Sequence, residues 1–165
     1  MAIFKIQAQR NGSSIKLLEQ LNYINKPTSV PVGHTYTAYT SACHPYEEMM
    51  LAKECHYSPT NNTLSDRFYF EFILSIPESE SDKLQNFSLC VQEVLEFLSN
   101  YNYGHYQTIC SIHTNTASHL HAHFILNNID FLSGTRLVIT KRHFFNIREV
   151  ISIILEKYGF SPIID

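Results

Sequence analysis

The densest group of chemically active side chains in this sequence is a set of histidines in its second half. Nine histidines occur in the chain, and four of them, His113, His119, His121 and His123, fall within eleven residues. A β-strand alternates its side chains between two faces, which predicts that His119, His121, His123 and Asn127 point one way and the intervening apolar residues the other. The segment is therefore expected to be a strand with one packed face and one chemical face.

A preceding strand is expected to add His113 to the same face. Residues 114–118 are small and polar enough to close a hairpin, and an antiparallel register that pairs odd with odd residues aligns His113 with the other imidazoles. Neutral imidazole is the commonest metal ligand, and three protein ligands leave coordination positions open for a substrate. The spacing thus predicts a catalytic metal site. The alternative is a row of exposed strand histidines that bind nothing.

An early helix is predicted to present a tyrosine away from the protein core. The helix is expected to run from Ser13 or Ser14 to about Asn25. Its apolar stripe would consist of Ile15, Leu18 and Leu21. On a helical wheel Tyr23 falls outside that stripe and beside polar neighbours that include Gln20. Tyr23 is therefore not expected to be a simple core residue.

The remaining pattern mixes strands and helices in one unit. Strands are predicted at about 2–9, 35–42, 67–76, 106–114 and 119–128, and further helices at 45–56, 81–100 and 146–158. The order indicates an α+β fold, with helices packed on a central antiparallel sheet. The chain has 165 residues, 44% of them hydrophobic, which suffices for one core. We expect residues 1–165 to form a single domain.

The charge distribution bears on possible nucleic-acid partners. The formal net charge of -3 argues mildly against such a partner, because phosphate binding usually relies on a basic surface. The basic residues nevertheless cluster near both ends of the chain, and a basic face would form if the two ends fold together. Aromatic stacking can also hold single-stranded DNA, and the chain has 10 tyrosines.

The start of the chain and the cysteines indicate a cellular compartment. Residues 1–10 lack the continuous apolar stretch of a signal peptide or membrane span, so we expect a cytoplasmic protein without a membrane segment. The four cysteines follow no disulfide-framework spacing, and we expect them to be reduced and mostly buried.

Several segments together resemble the relaxase/mobilization nuclease family of the HUH endonucleases. HTNTASHLHAHFILN is similar to that family's metal motif, and SSIKLLEQLNYINKP to its nucleophile motif. FEFILSIPES resembles the middle motif with its serine, and the segment from NNIDFLSG to YGFSPI resembles the closing part of the family. The likeness extends over nearly the whole chain. It implies the HUH endonuclease fold, with a ferredoxin-like or RRM-like palm, either as a compact member or as an excised domain.

Residue by residue, the resemblance implies a nucleophile and a metal centre. Tyr23 would be the nucleophile, and His113, His121 and His123 would bind a divalent metal, manganese or magnesium. Members often carry aspartate where this chain has Asn115, so Glu71 on a neighbouring strand is a candidate for the missing carboxylate. Its alternative interpretation is a solvated strand residue. The residues that could surround the metal ligands are Glu71, Asn115, His119 and Asn127. The candidate DNA-binding residues are Ser75, Arg136, Lys141 and Arg142.

The activity that the resemblance implies is site-specific and strand-specific nicking of DNA at an origin of transfer. The DNA would remain attached to tyrosine through its 5′ phosphate, and the protein would act on single-stranded or hairpin DNA with accessory relaxosome proteins. Two alternatives remain open. The alternation from His119 to His123 also fits a histidine-triad nucleotide hydrolase or transferase. A catalytically degenerate DNA-binding module would account for Asn115 at the aspartate position.

Overall fold

A five-stranded antiparallel sheet forms the centre of the described part of the chain. The computed structural model describes residues 2–7, 13–26, 30, 34–56, 68–114 and 119–164. Its strands are β1 (Ile3–Gln7), β2 (Thr35–Ala38), β3 (Tyr69–Ser75), β4 (Tyr106–His113) and β5 (His121–Asp130). Its α-helices are α1 (Ser14–Ile24), α2 (Pro45–Cys55), α3 (Leu84–Ser99) and α4 (Lys141–Lys157). The strand order is β1-β3-β5-β4-β2, which confirms the predicted α+β class.

The even-numbered side chains of the sheet form the larger core. Phe72, Leu74 and Phe124 are completely buried on this even face. Helices α3 and α4 cover them with apolar side chains that include Val91 and Ile151. Burial of apolar surface on this scale is the main favourable term in folding. The even face therefore stabilises the sheet.

The odd-numbered side chains form a smaller core under α1 and α2. The helices contribute Leu17, Leu21, Ile24 and Met49 to this second cluster. The sheet contributes Tyr69, Ile109 and Ile125. The cluster covers the part of the odd face around Ile125, which lies four residues after His121 on β5. The histidine end of β4 and β5 lies beside it, next to the end of α1.

The apolar stripe of α1 differs from the predicted one. Ile15 is 67% exposed and Leu18 is 40% exposed, whereas Leu17 and Ile24 are buried with Leu21. The helix does begin as expected, with the Ser13 hydroxyl accepting from the backbone N–H of Lys16. The helix is thus rotated about its axis relative to the prediction. Leu21 belongs to both stripes.

The last helix begins earlier than predicted, at Lys141 rather than near Asn146. Thr140 caps it by accepting from the backbone N–H of His143, and the His143 ring in turn accepts from the backbone N–H of Thr140. This reciprocal pair is a capping box in which histidine takes the usual place of glutamate or glutamine. Lys141 and Arg142 consequently lie in the first turn of α4.

Smaller differences concern strand ends and cysteines. Strand β5 starts at His121 rather than 119, β2 ends at Ala38 rather than 42, and α3 starts at Leu84 rather than 81. All four cysteines are free thiols, but only two are buried, so the expectation that most are buried was wrong. None of the helices in the described ranges has the length and apolarity needed to cross a membrane.

Candidate metal centre and nucleophile

Three histidines converge at the end of the β4–β5 hairpin. His113 lies opposite His121 in the antiparallel register, as predicted, and His123 is two residues further along β5 on the same face. The ring centroids of His113 and His123 are 4.6 Å apart, and both lie about 5 Å from His121, at 5.3 and 5.2 Å. Each ring offers a nitrogen within 4.8 Å of the others. The alternation of the sequence thus brings the three predicted ligands together.

Burial keeps two of these imidazoles neutral at physiological pH. It lowers the pKa of His113, and it lowers the pKa of His121 to about 4, with the neighbouring His123 contributing in the same direction. A neutral imidazole has a lone pair available for a cation. These two imidazoles are therefore in the protonation state that metal binding requires.

The unused nitrogens of the cluster fit a cation. His113 Nε2 donates to the carbonyl of Ile24 at 2.8 Å, which leaves its Nδ1 as the ligand atom. His121 Nδ1 is buried without a hydrogen-bond partner among the described residues. Tetrahedral ligands at about 2.1 Å from one ion lie about 3.4 Å apart, so the rings would turn inward to hold a cation. The donor set and the unsatisfied nitrogen both fit a divalent metal.

Tyr23 lies directly over this cluster. Its ring centroid is 5.8 Å from that of His113 and 5.7 Å from that of His123, and both contacts are edge-on. The side chain is 53% exposed, in agreement with its predicted position outside the apolar stripe of α1. The tyrosine is thus both close to the candidate metal ligands and open to a substrate.

Glu71 is buried against the candidate ligand His123. Only 1% of the residue is exposed, which excludes the alternative of a solvated strand residue. Its Oε1 accepts from His123 Nδ1 at 3.3 Å and from Gln20 Nε2 at 2.6 Å. A carboxylate that accepts from one ring nitrogen directs the other nitrogen, here Nε2, toward a metal. Glu71 occupies the position from which a carboxylate can orient His123.

Three other candidates have different positions relative to the cluster. Ser75 pairs with His121 across β3 and β5 and lies beside the cluster. His119 is exposed and precedes β5, with its ring centroid 5.6 Å from that of His121. Asn127 lies away from the cluster, because its amide donates to the Met49 carbonyl and to Gln107 under α2. The prediction that Asn127 surrounds the ligands is therefore wrong. Asn115 lies outside the described residues.

The basic candidates are not brought to the histidines. Arg136 forms an isolated bridge with Ile129, eight residues beyond His121 along β5 and thus about 26 Å away at about 3.3 Å per residue. Lys141 and Arg142 are exposed at the start of α4, which packs on the even face. Exposed basic residues on the odd side include Lys5 of β1, Lys16 of α1 and Lys26, which follows the end of α1. The basic residues of the two ends therefore do not merge around the site.

The sequence interpretation missed the polar contacts that hold α1 in place. Besides the Gln20 and Ile24 contacts, Asn25 Oδ1 accepts from the hydroxyl of Ser111, a β4 residue facing His123. A signal for Gln20 existed, because it precedes Tyr23 by three residues and lies on a neighbouring part of the helix surface. The carbonyl of Ile24 carried no signal, since backbone groups are independent of residue type.

These features match a known protein family. Residues 23–160 correspond to the relaxase family described as MobA/VirD2-like, nuclease domain. The chain belongs to this relaxase family. This assignment argues against a histidine-triad hydrolase, in which the histidine alternation would have a different role. The comparison with curated protein sequences found no match to this chain.

Solved structures with the same fold include the relaxase domain of MobM. The MobM domain bound to a 22-nucleotide pMV158 oriT DNA, in a manganese-bound crystal, is 13% identical, with a TM-score of 0.63. That match covers 98% of this chain and 88% of the MobM chain. The complex with 26-nucleotide oriT DNA gives 13% identity, a TM-score of 0.63, and coverage of 98% and 89%. At this identity the likeness establishes the fold of the relaxase, which agrees with the sheet and helices described above.

Proposed function

We propose that this relaxase uses a divalent metal to nick one DNA strand at an origin of transfer, with Tyr23 as its nucleophile. The observation that carries the proposal is the position of the half-exposed Tyr23 ring over His113 and His123. Membership of the relaxase family gives independent support. The MobM domains of similar fold were solved with oriT DNA, three of them with manganese, which favours manganese or magnesium here.

The proposed reaction is an in-line displacement at phosphorus. A divalent cation held by His113, His121 and His123 would polarise the scissile phosphate and stabilise the negative charge that develops on its oxygens. The Tyr23 oxygen attacks phosphorus, and its proton leaves to solvent, because the ring is open to water. The bond from phosphorus to the 3′ oxygen breaks, and that oxygen takes up a proton to become a free 3′ hydroxyl. The strand remains bound to Tyr23 through its 5′ phosphate.

The surface around the cluster is suited to single-stranded or hairpin DNA. Lys5 and Lys16 are exposed on the same side of the sheet as Tyr23, and Ser75 lies beside His121. Lysines that neutralise phosphates make DNA affinity decrease with salt. We also propose that residues 1–165 form one catalytic domain. The parallel bridge between Ala2 and Ile163 supports this, because it joins the two ends of the described chain. Accessory relaxosome proteins complete the proposed assembly.

The test replaces the tyrosine oxygen and follows the covalent adduct. Wild-type protein incubated with manganese and an origin oligonucleotide should form a denaturation-resistant adduct that maps to Tyr23. Tyr23→Phe should abolish both adduct and cleavage while manganese and DNA affinities stay within about twofold, because only the nucleophilic oxygen is removed. Tyr39→Phe is the matched control, since Tyr39 is also partly exposed but packs against His105 and Phe131, away from the cluster.

Two outcomes would contradict the proposal. Cleavage at the normal rate by Tyr23→Phe, or an adduct on a histidine, would remove Tyr23 from the reaction. DNA binding without cleavage by the wild type, at saturating manganese and across several origin sequences, would favour a degenerate DNA-binding module.

A further inference from the structure

The buried carboxylate of Glu71 joins two parts of the candidate centre. Its Oε1 accepts from Gln20 Nε2 at 2.6 Å and from His123 Nδ1 at 3.3 Å. Its Oε2 is buried and has no hydrogen-bond partner among the described residues. A buried acidic side chain in such a place depends strongly on the few hydrogen-bond donors it has. Gln20 is thus one of two groups that fix the carboxylate facing His123.

Gln20 belongs to the helix that carries Tyr23. Gln20 and Ile24 are four residues apart on α1, so they lie on the same side of the helix. The Ile24 carbonyl accepts from His113 Nε2 at 2.8 Å. Helix α1 is therefore attached to two of the three candidate ligands, to His113 directly and to His123 through Gln20 and Glu71. Tyr23 lies between these two attachment points in the sequence.

We propose that Gln20 is a positioning residue that couples the orientation of His123 to the placement of Tyr23. Its amide holds the Glu71 carboxylate, the carboxylate holds the His123 ring, and the same amide fixes the helix that presents the tyrosine. The role assigned to Tyr23 rests on the proposed function. The coupling of Gln20 to metal binding rests on the proposed metal site and not on the proposed nucleophile.

The coupling has a reciprocal consequence. If α1 orders the histidines for a metal, then metal binding must stabilise the docked position of α1 by the same factor. The backbone amides of α1 should therefore exchange with solvent more slowly when manganese is bound. A residue that only packs the helix onto the sheet would protect these amides equally with and without manganese.

The test compares Gln20→Met with Leu18→Met on the same helix. Methionine is close to glutamine in length but cannot donate to Glu71, and Leu18 is 40% exposed and has no polar group, so the control introduces the same side chain without removing a hydrogen bond. Calorimetric titration should show manganese affinity about tenfold weaker in Gln20→Met, the lower end of effects seen for groups that support metal ligands. Hydrogen exchange should show that manganese protects α1 in the wild type and in Leu18→Met, and several-fold less in Gln20→Met.

A second variant and a kinetic measurement separate the outcomes. Gln20→Asn keeps a polar amide but shortens the side chain by one methylene, so its amide should no longer reach Glu71 and manganese binding should weaken in the same direction. At saturating manganese, adduct formation by Gln20→Met should remain slower than in the control, because the tyrosine is less well placed. Equal manganese affinity and equal α1 protection in Gln20→Met and Leu18→Met would overturn the coupling. Weakened manganese binding in a protein that forms no Tyr23 adduct would retain the coupling to the metal and reject only the proposed nucleophile.

Discussion

The two faces of the same sheet are used in different ways. On the even face, the side chains of β3 from Phe70 to Leu74 and of β5 from Ala122 to Leu126 are apolar and are covered by α3 and α4. On the odd face, Tyr69, Ile109 and Ile125 are covered by α1 and α2, while His113, His121 and His123 lie beyond this smaller core. One strand therefore provides stability through Phe124 and candidate chemistry through His123, its neighbour in the sequence.

The comparison explains how buried histidines are tolerated. Burial of polar groups costs free energy unless they are hydrogen-bonded, and His121 Nδ1 has no partner among the described residues. The larger even-face core can offset this cost because apolar burial contributes about 25 cal/mol per Å². Substitutions at even-numbered residues of β5 should therefore lower the free energy of unfolding. Substitutions at its odd-numbered histidines should instead lower manganese affinity.

The largest expected effect is on the odd face. Replacing both His121 and His123 with alanine should remove measurable manganese binding and DNA cleavage, since two of three proposed ligands are lost. The metal-free double variant should still unfold cooperatively, because the even-face core is intact. His119→Ala is the control, as the exposed ring should contribute less than twofold to manganese affinity. Calorimetric titration measures manganese binding, and thermal unfolding tests whether the variant is still cooperatively folded. Unchanged manganese binding in the double variant would reject the ligand assignment.

The next effect is on the even face. Phe124 is completely buried, and Phe124→Ala should lower the free energy of unfolding by about 3 to 5 kcal/mol, through lost apolar burial and a residual cavity. Manganese affinity measured well below the unfolding transition should stay within about threefold of the wild-type value. Chemical denaturation and calorimetry would test this separation. A large loss of manganese affinity in folded Phe124→Ala would show that the two faces are not independent.

Much of this two-faced arrangement could be predicted from alternation alone. The period of two along residues 119–127 assigns each side chain to a face, and the pairing of His113 with His121 follows from the short hairpin. Alternation could not predict which part of the odd face is covered by a helix. Asn127 has the same parity as His123, but its amide is satisfied by Met49 of α2 and by Gln107.

The rotation of α1 was harder to predict for a similar reason. Its apolar residues support two overlapping stripes, one with Ile15 and Leu18 and one with Leu17 and Ile24. The choice depends on tertiary contacts with the sheet and α2, which a helical wheel does not contain. The early start of α4 was missed because the His143 cap lacks the glutamate or glutamine of the usual motif.

An intermediate effect is expected at the covered end of the odd face. Lys53 of α2 donates to the Phe68 carbonyl at 2.6 Å and to Asn128. Burial lowers its pKa from 10.5 to about 7, and the nearby Arg136 acts in the same direction. Between these two values the unfolded chain binds more protons at this lysine than the folded chain does. The contribution of Lys53 to stability therefore rises with pH above about 7.

The Lys53→Met variant should remove this pH dependence. Between pH 7 and 8 the wild-type free energy of unfolding should rise by at most about 1.4 kcal/mol relative to the variant. The window ends near pH 8 because burial also raises the pKa values of Cys90 and Cys110, and thiols that ionise only when unfolded reduce stability at higher pH. Lys16→Met, at an exposed lysine, should leave the dependence unchanged. If the free energies of unfolding of wild type and Lys53→Met changed equally between pH 7 and 8, the pH dependence could not be assigned to Lys53.

The smallest effects come from the caps of two helices on opposite faces, and they compare the faces most directly. Ser13 caps α1 on the odd side and Thr140 caps α4 on the even side, each through a hydroxyl that accepts from a backbone N–H. Alanine at either position should lower the free energy of unfolding by about 1 kcal/mol, because one N–H at the helix start loses its acceptor. Serine at position 140 should restore most of the loss there.

The two cap variants should differ in metal binding although they match in stability. Helix α1 is attached to His113 and, through Gln20, to Glu71, so fraying of its first turn should also weaken manganese binding by about twofold, a coupling smaller than is typical between sites. Helix α4 has no such attachment among the described contacts, and Thr140→Ala should leave manganese affinity unchanged. Calorimetry at a temperature where both variants are fully folded makes the comparison. An equal loss of affinity in both variants would mean that manganese binding follows global stability rather than the docking of α1, and the division of labour between the two faces would not hold.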